Sequence, residues 1–251
     1  MHQLRKNALN ILLFLLWLGM GLSVSTARAE HVPGGGREAI AYTIKLDFKS
    51  HLDANLPEQD VFIEREPGSG EVYRVTTADQ DPSAPLFKAA RPVPHNPFDT
   101  AAIGPHPKGE PFGYTLGEWL RHSGTGTYTC ANGEGRLEMT FSGLIKYGVY
   151  TIWHTFTAMP VTTPFSGYLD IPLGARDGST SVFVADANGE AAVSQRFEPC
   201  LQLTTNWTTS LLAINYHSNG RTYAGRPGMF GYNAHVPLFL LLPSGDDYDG
   251  V

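Results

Sequence analysis

Short runs rich in β-branched and aromatic residues recur along most of the chain and predict β-strands, and the apolar run HVPLFLLLP is typical of a buried strand. Gly, Asn and Asp clusters such as ANGEG, GARDGS and DANGE separate them, as turns separate strands. The runs are AIAYTIKL, DVFIER, EVYRVTT, GTYTCA, RLEMTFSGL, GVYTIWHTFTAM, TSVFVAD, EAAVSQRFEP, SLLAINYH, RTYAG and HVPLFLLLP. Strands do not alternate with helical patterns, which disfavours parallel nucleotide-binding folds. We predict a mainly β fold, an antiparallel β-sandwich of jelly-roll-like type.

One segment, TLGEWLRHSG, has the signals of a short helix. Thr115 is a capping residue, Glu118 follows it by three positions as in a capping box, and Gly124 is a stop signal. Leu116, Trp119 and Leu120 would share one apolar face of this helix. We expect the helix to close one end of the sheet structure.

Prolines dominate residues 79–111, in DPSAPLF, RPVPHNPF and GPHPKGEP. Such a segment cannot sustain a helix or a central strand, so the sequence predicts an extended connection that wraps the surface. His95 and His106 lie between these prolines and are interpreted as solvated loop residues rather than ligands.

The first residues have the pattern of a secretory signal. Arg5 and Lys6 precede the twelve-residue apolar run ILLFLLWLGMGL, and Ala27 and Ala29 form a small-residue cleavage pattern before Glu30. The run is too short to span a bilayer as a helix, although an uncleaved membrane anchor is the alternative. The expected location is therefore secreted or periplasmic.

The domain organisation follows from these segments. Residues 1–29 are the predicted signal peptide, 30–38 a flexible leader and 39–251 a single β-sandwich domain. Within that domain, 39–113 hold N-terminal strands and the Pro-rich wrap, and 114–243 the main sandwich. The chain is mildly acidic, with a formal net charge of −6 and no long basic run, which disfavours nucleic acid as a partner. No apolar stretch after the signal is long enough to span a membrane.

The chain has two cysteines, Cys130 and Cys200, both in the predicted exported part. In an oxidising compartment they are expected to form one disulfide. A thiolate ligand or nucleophile is the alternative, but their spacing does not resemble a C-x-x-C motif.

The stretch YHSNGRTYAGRPGMFGYNAHVPLF is rich in turn residues. Asn219-Gly220, between SLLAINYH and RTYAG, suits a two-residue hairpin with positive φ at both positions. Pro227 and Gly228 predict a second turn.

Three histidines in or beside predicted strands form a candidate metal site: His154, His217 and His235. Three neutral imidazoles from different strands can bind copper or zinc and leave a position open for water or substrate. His154 alternates with apolar residues, so a hydrogen-bonded core histidine is the alternative there. His217 alternates with Asn215 and Ala213 and is the better polar candidate.

Other chemistry has weaker signals. The chain lacks G-x-S-x-G, and no serine, histidine and aspartate set follows from local spacing. Asp170, Asp177 and Glu198 are candidates for a carboxylate pair that acts on sugars. DANGE, with Asp186, Asn188 and Glu190, is interpreted as a hairpin turn rather than a calcium loop. Exposed aromatic rings would suit carbohydrate; the candidates are Trp119, Trp153, Trp207, Tyr223 and Tyr232.

Four stretches carry a resemblance: TLGEWLRHSGTGTYTC, GLIKYGVYTIWH, PLGARDGSTSVFVADANGEA and NYHSNGRTYAGRPGMFGYNAHVPLF. In this order they resemble a group of uncharacterised exported prokaryotic proteins, over residues 92–243. The resemblance implies an exported, β-rich domain and brings no activity with it. Where that group would have Asp in an HSDG turn, this chain has Asn219.

Two functional hypotheses follow. The first is an exported, non-catalytic protein that binds carbohydrate or an envelope component and needs no cofactor. The second is a redox or hydrolytic domain that uses copper or zinc on the three histidines.

Overall fold

The computed structural model describes residues 41–96, 102–159 and 167–247. The predicted signal peptide and leader, residues 1–38, therefore lie outside the described residues. The described chain is mainly β, as predicted. Its strands are β1 Ala41–Asp47, β2 Phe62–Ile63, β3 Glu71–Arg74, β4 Pro85–Ala89, β5 His106–Thr115, β6 Ser123–Ala131, β7 Glu134–Ser142, β8 Val149–Ala158, β9 Leu169–Pro172, β10 Val182–Val184, β11 Ala191–Phe197, β12 Thr208–His217 and β13 Ala234–Leu241.

Two antiparallel sheets form the larger part of the fold. The first has the strand order β1-β6-β7-β11. The second has the order β10-β8-β12-β13. Its fifth strand, β9, also pairs with β8, at residues 153–156, whereas β10 pairs with residues 149–151. Apolar residues from both sheets meet in one buried cluster, among them Ile44, Tyr128, Leu137, Ile152 and Leu212. This contact is that of a sandwich, in which each sheet buries one face against the other.

The four-stranded sheet shows the alternation that the sequence predicts. Exposed and buried side chains alternate along the whole of β1, because every second side chain faces the core. The five-stranded sheet differs, since most residues of β8 and β12 are buried on both faces. Its face away from the first sheet, which we call the outer face, is therefore covered by other parts of the chain.

The Pro-rich segment is not only a surface connection, which corrects the prediction for residues 79–111. β2, β3, β5 and β4 close into a small barrel, and β4 and most of β5 come from this segment. Prolines are accommodated because Pro85 begins β4 and the β4–β5 register shifts on both sides of Phe87. Irregular pairing of this kind leaves positions that need no backbone donor.

The predicted helix is present as α1, Leu116–Trp119, and its capping box is confirmed. The Thr115 hydroxyl accepts from the Glu118 amide at 3.3 Å, and the Glu118 carboxylate accepts from the Thr115 amide at 2.8 Å. The prediction is wrong at the other end, because Gly124 lies inside β6 and Leu120 is 38% exposed. In the described ranges, no helix is long and apolar enough to cross a membrane.

The disulfide is confirmed. Cys130 in β6 and Cys200 after β11 are joined, and neither cysteine is free. The bond connects the four-stranded sheet to the segment that leads into β12.

The connection from β12 to β13 corrects the hairpin prediction. Residues 218–233 separate the two strands, and Arg221–Gly225 form no strand. Gly220 has φ +68°, but Asn219 is not among the residues with positive φ. The Gly220 amide donates to the His217 carbonyl at 2.9 Å, so the turn spans residues 217–220 and Gly220 follows its two central residues.

We expect Gly220→Val to destabilise the protein by about 1 kcal/mol or more, because a β-branched residue resists the left-handed conformation. An added Cβ would meet no atom within 4 Å, so the cost is conformational rather than steric. Gly220→Asn is the control, since asparagine tolerates this region. Urea unfolding of the three proteins measures the effect, and equal stability of all three would contradict it.

Candidate functional site

The structure does not bring the three candidate metal ligands together. His154 Nε2 lies 2.8 Å from the Ser210 hydroxyl, whereas His235 Nε2 lies 2.9 Å from the Ser218 hydroxyl. These two serines are eight residues apart at opposite ends of β12, about 26 Å for an extended strand. The two imidazoles therefore bond at opposite ends of the strand.

His217 is separated from the other two by the sheet itself. His154 is paired with Leu212 and His235 with Tyr216, and these partners lie on the same face of β12. His217 follows Tyr216 directly, so its side chain lies on the outer face. Among the described residues no three His, Cys, Asp or Glu side chains are grouped to hold a metal ion. The residues present do not fit a copper or zinc ion shared by these histidines.

Each of the three histidines is instead held as a neutral buried ring. Burial lowers the pKa of His154, His217 and His235 to about 4, because charging an imidazole away from water is costly. His154 also lies 3.2 Å from the Gln202 carbonyl. This agrees with the core-histidine alternative for His154.

A different group of ionisable residues comes together where the small barrel meets the five-stranded sheet. We call Asp60, His95, Tyr168 and Asp170 the Asp60 centre. They come from the segment before β2, the Pro-rich segment and the residues around the start of β9. The sequence pattern alone did not group them.

Asp60 and His95 form the core of this centre. The Asp60 carboxylate is 1% exposed and lies 2.9 Å from His95 Nδ1. Burial alone would raise the pKa of Asp60, but the adjacent His95 and its hydrogen bond outweigh burial and lower it. The Val236 amide donates to the same carboxylate at 3.1 Å. Asp60 is therefore an ionised carboxylate, and it orients the His95 ring.

The polypeptide on either side of His95 is also held in place. The buried Arg74 guanidinium donates to the carbonyl of Pro94. The buried Gln59 side chain accepts from the Asn96 amide at 3.0 Å. His95 is thus fixed through its ring and through both neighbours, which is what an acid–base residue requires.

The His95 ring is enclosed by other rings. Its centroid lies 4.8 Å from that of Phe230 and 5.5 Å from those of His51 and Tyr168. Only 9% of the side chain is exposed, which corrects the prediction of a solvated loop histidine. Within the described ranges, no residue bonds its second nitrogen, Nε2.

Asp170 differs from Asp60 in the direction of its pKa change. Burial raises the pKa of Asp170, while a 2.7 Å hydrogen bond from Thr155 and the nearby His95 partly offset this. Burial also raises the pKa of Tyr168 well above its usual value, and the negative charges of Asp60 and Asp170 add to this. The centre thus combines a carboxyl group whose pKa is lowered, Asp60, with one whose pKa is raised, Asp170.

A second buried acid, Glu58, borders the centre. Its carboxylate accepts from the Trp119 indole at 3.1 Å and lies 3.7 Å from His51 Nδ1. The other oxygen, Oε1, and His51 Nδ1 have no hydrogen-bond partner among the described residues. Glu58, Gln59 and Asp60 are three consecutive polar residues that are all buried.

His106, the other histidine between prolines, begins β5 and packs against the Phe62 ring, with centroids 5.4 Å apart. It is half-buried, and its Nε2 has no partner in the described part of the chain. Burial lowers the pKa of His106, and the nearby Arg74 lowers it further. It therefore does not fit the prediction of a fully solvated histidine either.

The remaining sequence candidates are dispersed. Asp177 accepts from the Ser179 amide at 2.9 Å, and Glu198 is exposed, so neither pairs with Asp170. Asp186 accepts from the amides of Asn188 and Glu190 at 2.8 Å, as in a turn. This turn is not a hairpin, since it connects β10 and β11 in different sheets.

The aromatic candidates divide between core and surface. Trp119 and Trp153 are buried. Tyr223 is half-buried, whereas Tyr232 is exposed and Trp207 is 76% exposed. Trp207 is therefore the ring most available to a partner.

Comparison with known proteins gives no relative: no family model, curated protein or solved structure matches the chain. The functional argument therefore depends on the site itself.

Proposed function

We propose that this protein is an exported enzyme that works by general acid–base catalysis at the Asp60 centre, with hydrolysis as the reaction class. The observation that carries the proposal is the bond between His95 Nδ1 and the buried Asp60 carboxylate. It leaves Nε2 as the ring nitrogen that can act as a general base.

We assign the roles from the opposite pKa changes of the two carboxyl groups. His95 Nε2 accepts a proton from water as the water oxygen attacks the substrate. Asp170 donates a proton to the leaving group, a role that suits a carboxyl group whose pKa is raised by burial. Asp60 remains ionised throughout and holds the ring. Acid–base pairs in enzymes commonly arise when two environments separate the pKa values of similar groups.

The location and the substrate are expectations from the sequence. The signal-peptide pattern predicts export, and the disulfide is compatible with it. Hydroxyl-rich substrates such as carbohydrate or envelope material suit an exported chain with exposed aromatic rings.

A second candidate function is non-catalytic carbohydrate binding, the first of the two hypotheses from the sequence. The exposure of Trp207 favours it, because an isolated exposed indole can stack on a sugar ring. The two candidates are separable, since Trp207→Ala would abolish binding of this kind and leave the Asp60 centre intact.

We expect His95→Gln to reduce hydrolysis at least about 100-fold, because general-base catalysis contributes 10²–10⁴-fold in rate. The assay is turnover of chromogenic esters, chromogenic glycosides and soluble polysaccharides by the wild-type protein and the variant. His106→Gln is the matched control, since His106 also lies between prolines but does not contact Asp60.

Diethyl pyrocarbonate provides a measurement that needs no substrate. It acylates imidazole nitrogens that are not hydrogen-bonded, so His95, whose Nε2 has no partner among the described residues, should react before His122 and His235, whose ring nitrogens are all hydrogen-bonded. A folded His95→Gln protein that keeps wild-type turnover would exclude His95 as the base. Failure of His95 to react, together with no turnover of any substrate, would also reject the proposal.

A further inference from the structure

The outer face of the five-stranded sheet carries buried polar side chains that no hydrogen bond accounts for. Asn215 and His217, two residues apart on β12, are each 1% exposed. Asn215 Oδ1 and His217 Nδ1 have no hydrogen-bond partner among the described residues. Buried polar atoms without a partner are rare in native proteins, because each forfeits its bonds to water.

The proton positions at this face follow from its hydrogen bonds. The Trp153 indole can only donate, and it donates to the Thr151 hydroxyl oxygen at 2.7 Å. The Thr151 hydroxyl lies 2.8 Å from His217 Nε2, and among the described residues its proton has no other acceptor, so we assign that proton to the bond with Nε2. A neutral His217 therefore carries its proton on Nδ1 and presents an N–H donor.

A donor and an acceptor thus lie side by side. The His217 Nδ1–H group is the donor, and the Asn215 carbonyl oxygen is the acceptor. Residues two apart in a strand lie on the same face, with α-carbons about 6.7 Å apart. One oxygen atom with a hydrogen bond of about 2.9 Å on each side can bridge such a pair.

We propose that Asn215 and His217 bind one hydroxyl group, which accepts from His217 Nδ1 and donates to Asn215 Oδ1. A hydroxyl group has the required donor and acceptor capacity in a single atom. The hydroxyl belongs either to a water molecule that is part of the structure or to a polyol or sugar.

This subsite borders the Asp60 centre without depending on it. Phe230 packs against Trp153 and Ala213 on the outer face, and its ring also contacts His95. A sugar hydroxyl held by Asn215 and His217 would thus lie on the same side of the sheet as His95. His95→Gln should leave the nuclear magnetic resonance signals of the His217 ring unchanged. The hydroxyl site and the catalytic role of the Asp60 centre can therefore fail separately.

The first test is ¹⁵N nuclear magnetic resonance of the histidine rings in the full mature chain. We expect the proton of His217 on Nδ1, with a slowly exchanging signal. A nuclear Overhauser effect from this proton to a long-lived water identifies water as the hydroxyl. Saturable shifts of the same signal with methyl β-D-glucoside or glycerol identify a sugar or polyol.

The second test is the sign of a stability change. Asn215→Leu replaces the amide by an apolar side chain of similar size. If a hydroxyl is bound, the melting temperature falls, because the hydroxyl and His217 lose a partner. If the amide is merely unsatisfied, the melting temperature rises. Asn188→Leu, in the exposed Asp186–Glu190 turn, is the matched control.

Two results would overturn the proposal. One is a rise in melting temperature for Asn215→Leu but not for Asn188→Leu. The other is a His217 signal without a water contact and without a shift on addition of either probe. The second result is obtained on the wild-type protein, so it holds even if Asn215→Leu does not fold.

Discussion

Acidification from pH 7 to pH 5 should lower the free energy of unfolding by about 7 kcal/mol. Burial lowers the pKa of His122, His154, His217 and His235 from 6.5 to about 4. The unfolded chain takes up protons at these four residues near pH 6.5, whereas the folded chain does so only near pH 4. Each histidine therefore costs about 2 kcal/mol of stability between pH 7 and pH 5.

The direction is fixed by the sign of the pKa change. The stability that these four neutral histidines contribute is fully present above pH 6.5 and is lost as the pH falls toward 4. Because domains are typically stable by about 5–15 kcal/mol, this loss is enough to unfold many of them. The lowered pKa of Asp60 acts in the same direction at still lower pH.

Urea unfolding at a series of pH values measures this effect. Between pH 5 and 6 the slope should correspond to an uptake of about three to four protons on unfolding. In His154→Gln the slope should decrease by about one proton, and in His106→Gln it should change less. A slope of less than one proton would show that these histidines are not buried in their neutral form.

Reduction of the Cys130–Cys200 disulfide should destabilise the protein by about 4 kcal/mol. The bond joins residues separated by 70 positions, and the loop-entropy relation gives this value for such a loop. Both sulfurs are in or beside the main apolar cluster, so the reduced thiols would remain largely buried.

The measurement compares unfolding of the oxidised protein with that of Cys130→Ala/Cys200→Ala. Thiol titration of the unfolded, unreduced wild-type protein should find no free thiol. Equal stability of the oxidised protein and the double variant would show that the unfolded chain is not restrained by the bond.

Strands were the easiest part of the fold to predict, because alternation is a local pattern. β1, β6 and β7 fall where the apolar residues alternate. β4 and β5 were missed, since prolines argue against strands unless the pairing is irregular, and the register shift beside Phe87 is a tertiary property. The sequence predicts a strand at Arg221–Gly225, but these residues lie in the connection between β12 and β13 and form no strand.

The candidate site was less predictable than the fold. His154, His217 and His235 lie in or beside strands, but strand membership does not determine which face or which end of a strand a ring occupies. His95 lies between prolines, a context that predicts a solvated loop residue. Nothing near residue 95 indicates that Asp60 lies beside it. Three adjacent polar residues before an apolar run, Glu58 to Asp60, were the available signal, and exposed segments have the same pattern.

The Asp60 centre takes its residues from positions 60, 95, 168 and 170, and His235 bonds the Asp60 carbonyl across 175 positions. Contacts of such long range form only after most of the intervening chain is ordered, because closing a long loop is entropically costly before other contacts exist. The centre should therefore be among the last parts of the molecule to assemble during folding. A chain that is truncated or still folding would lack the His95–Asp60 pair, so any acid–base activity would appear only once the molecule is complete.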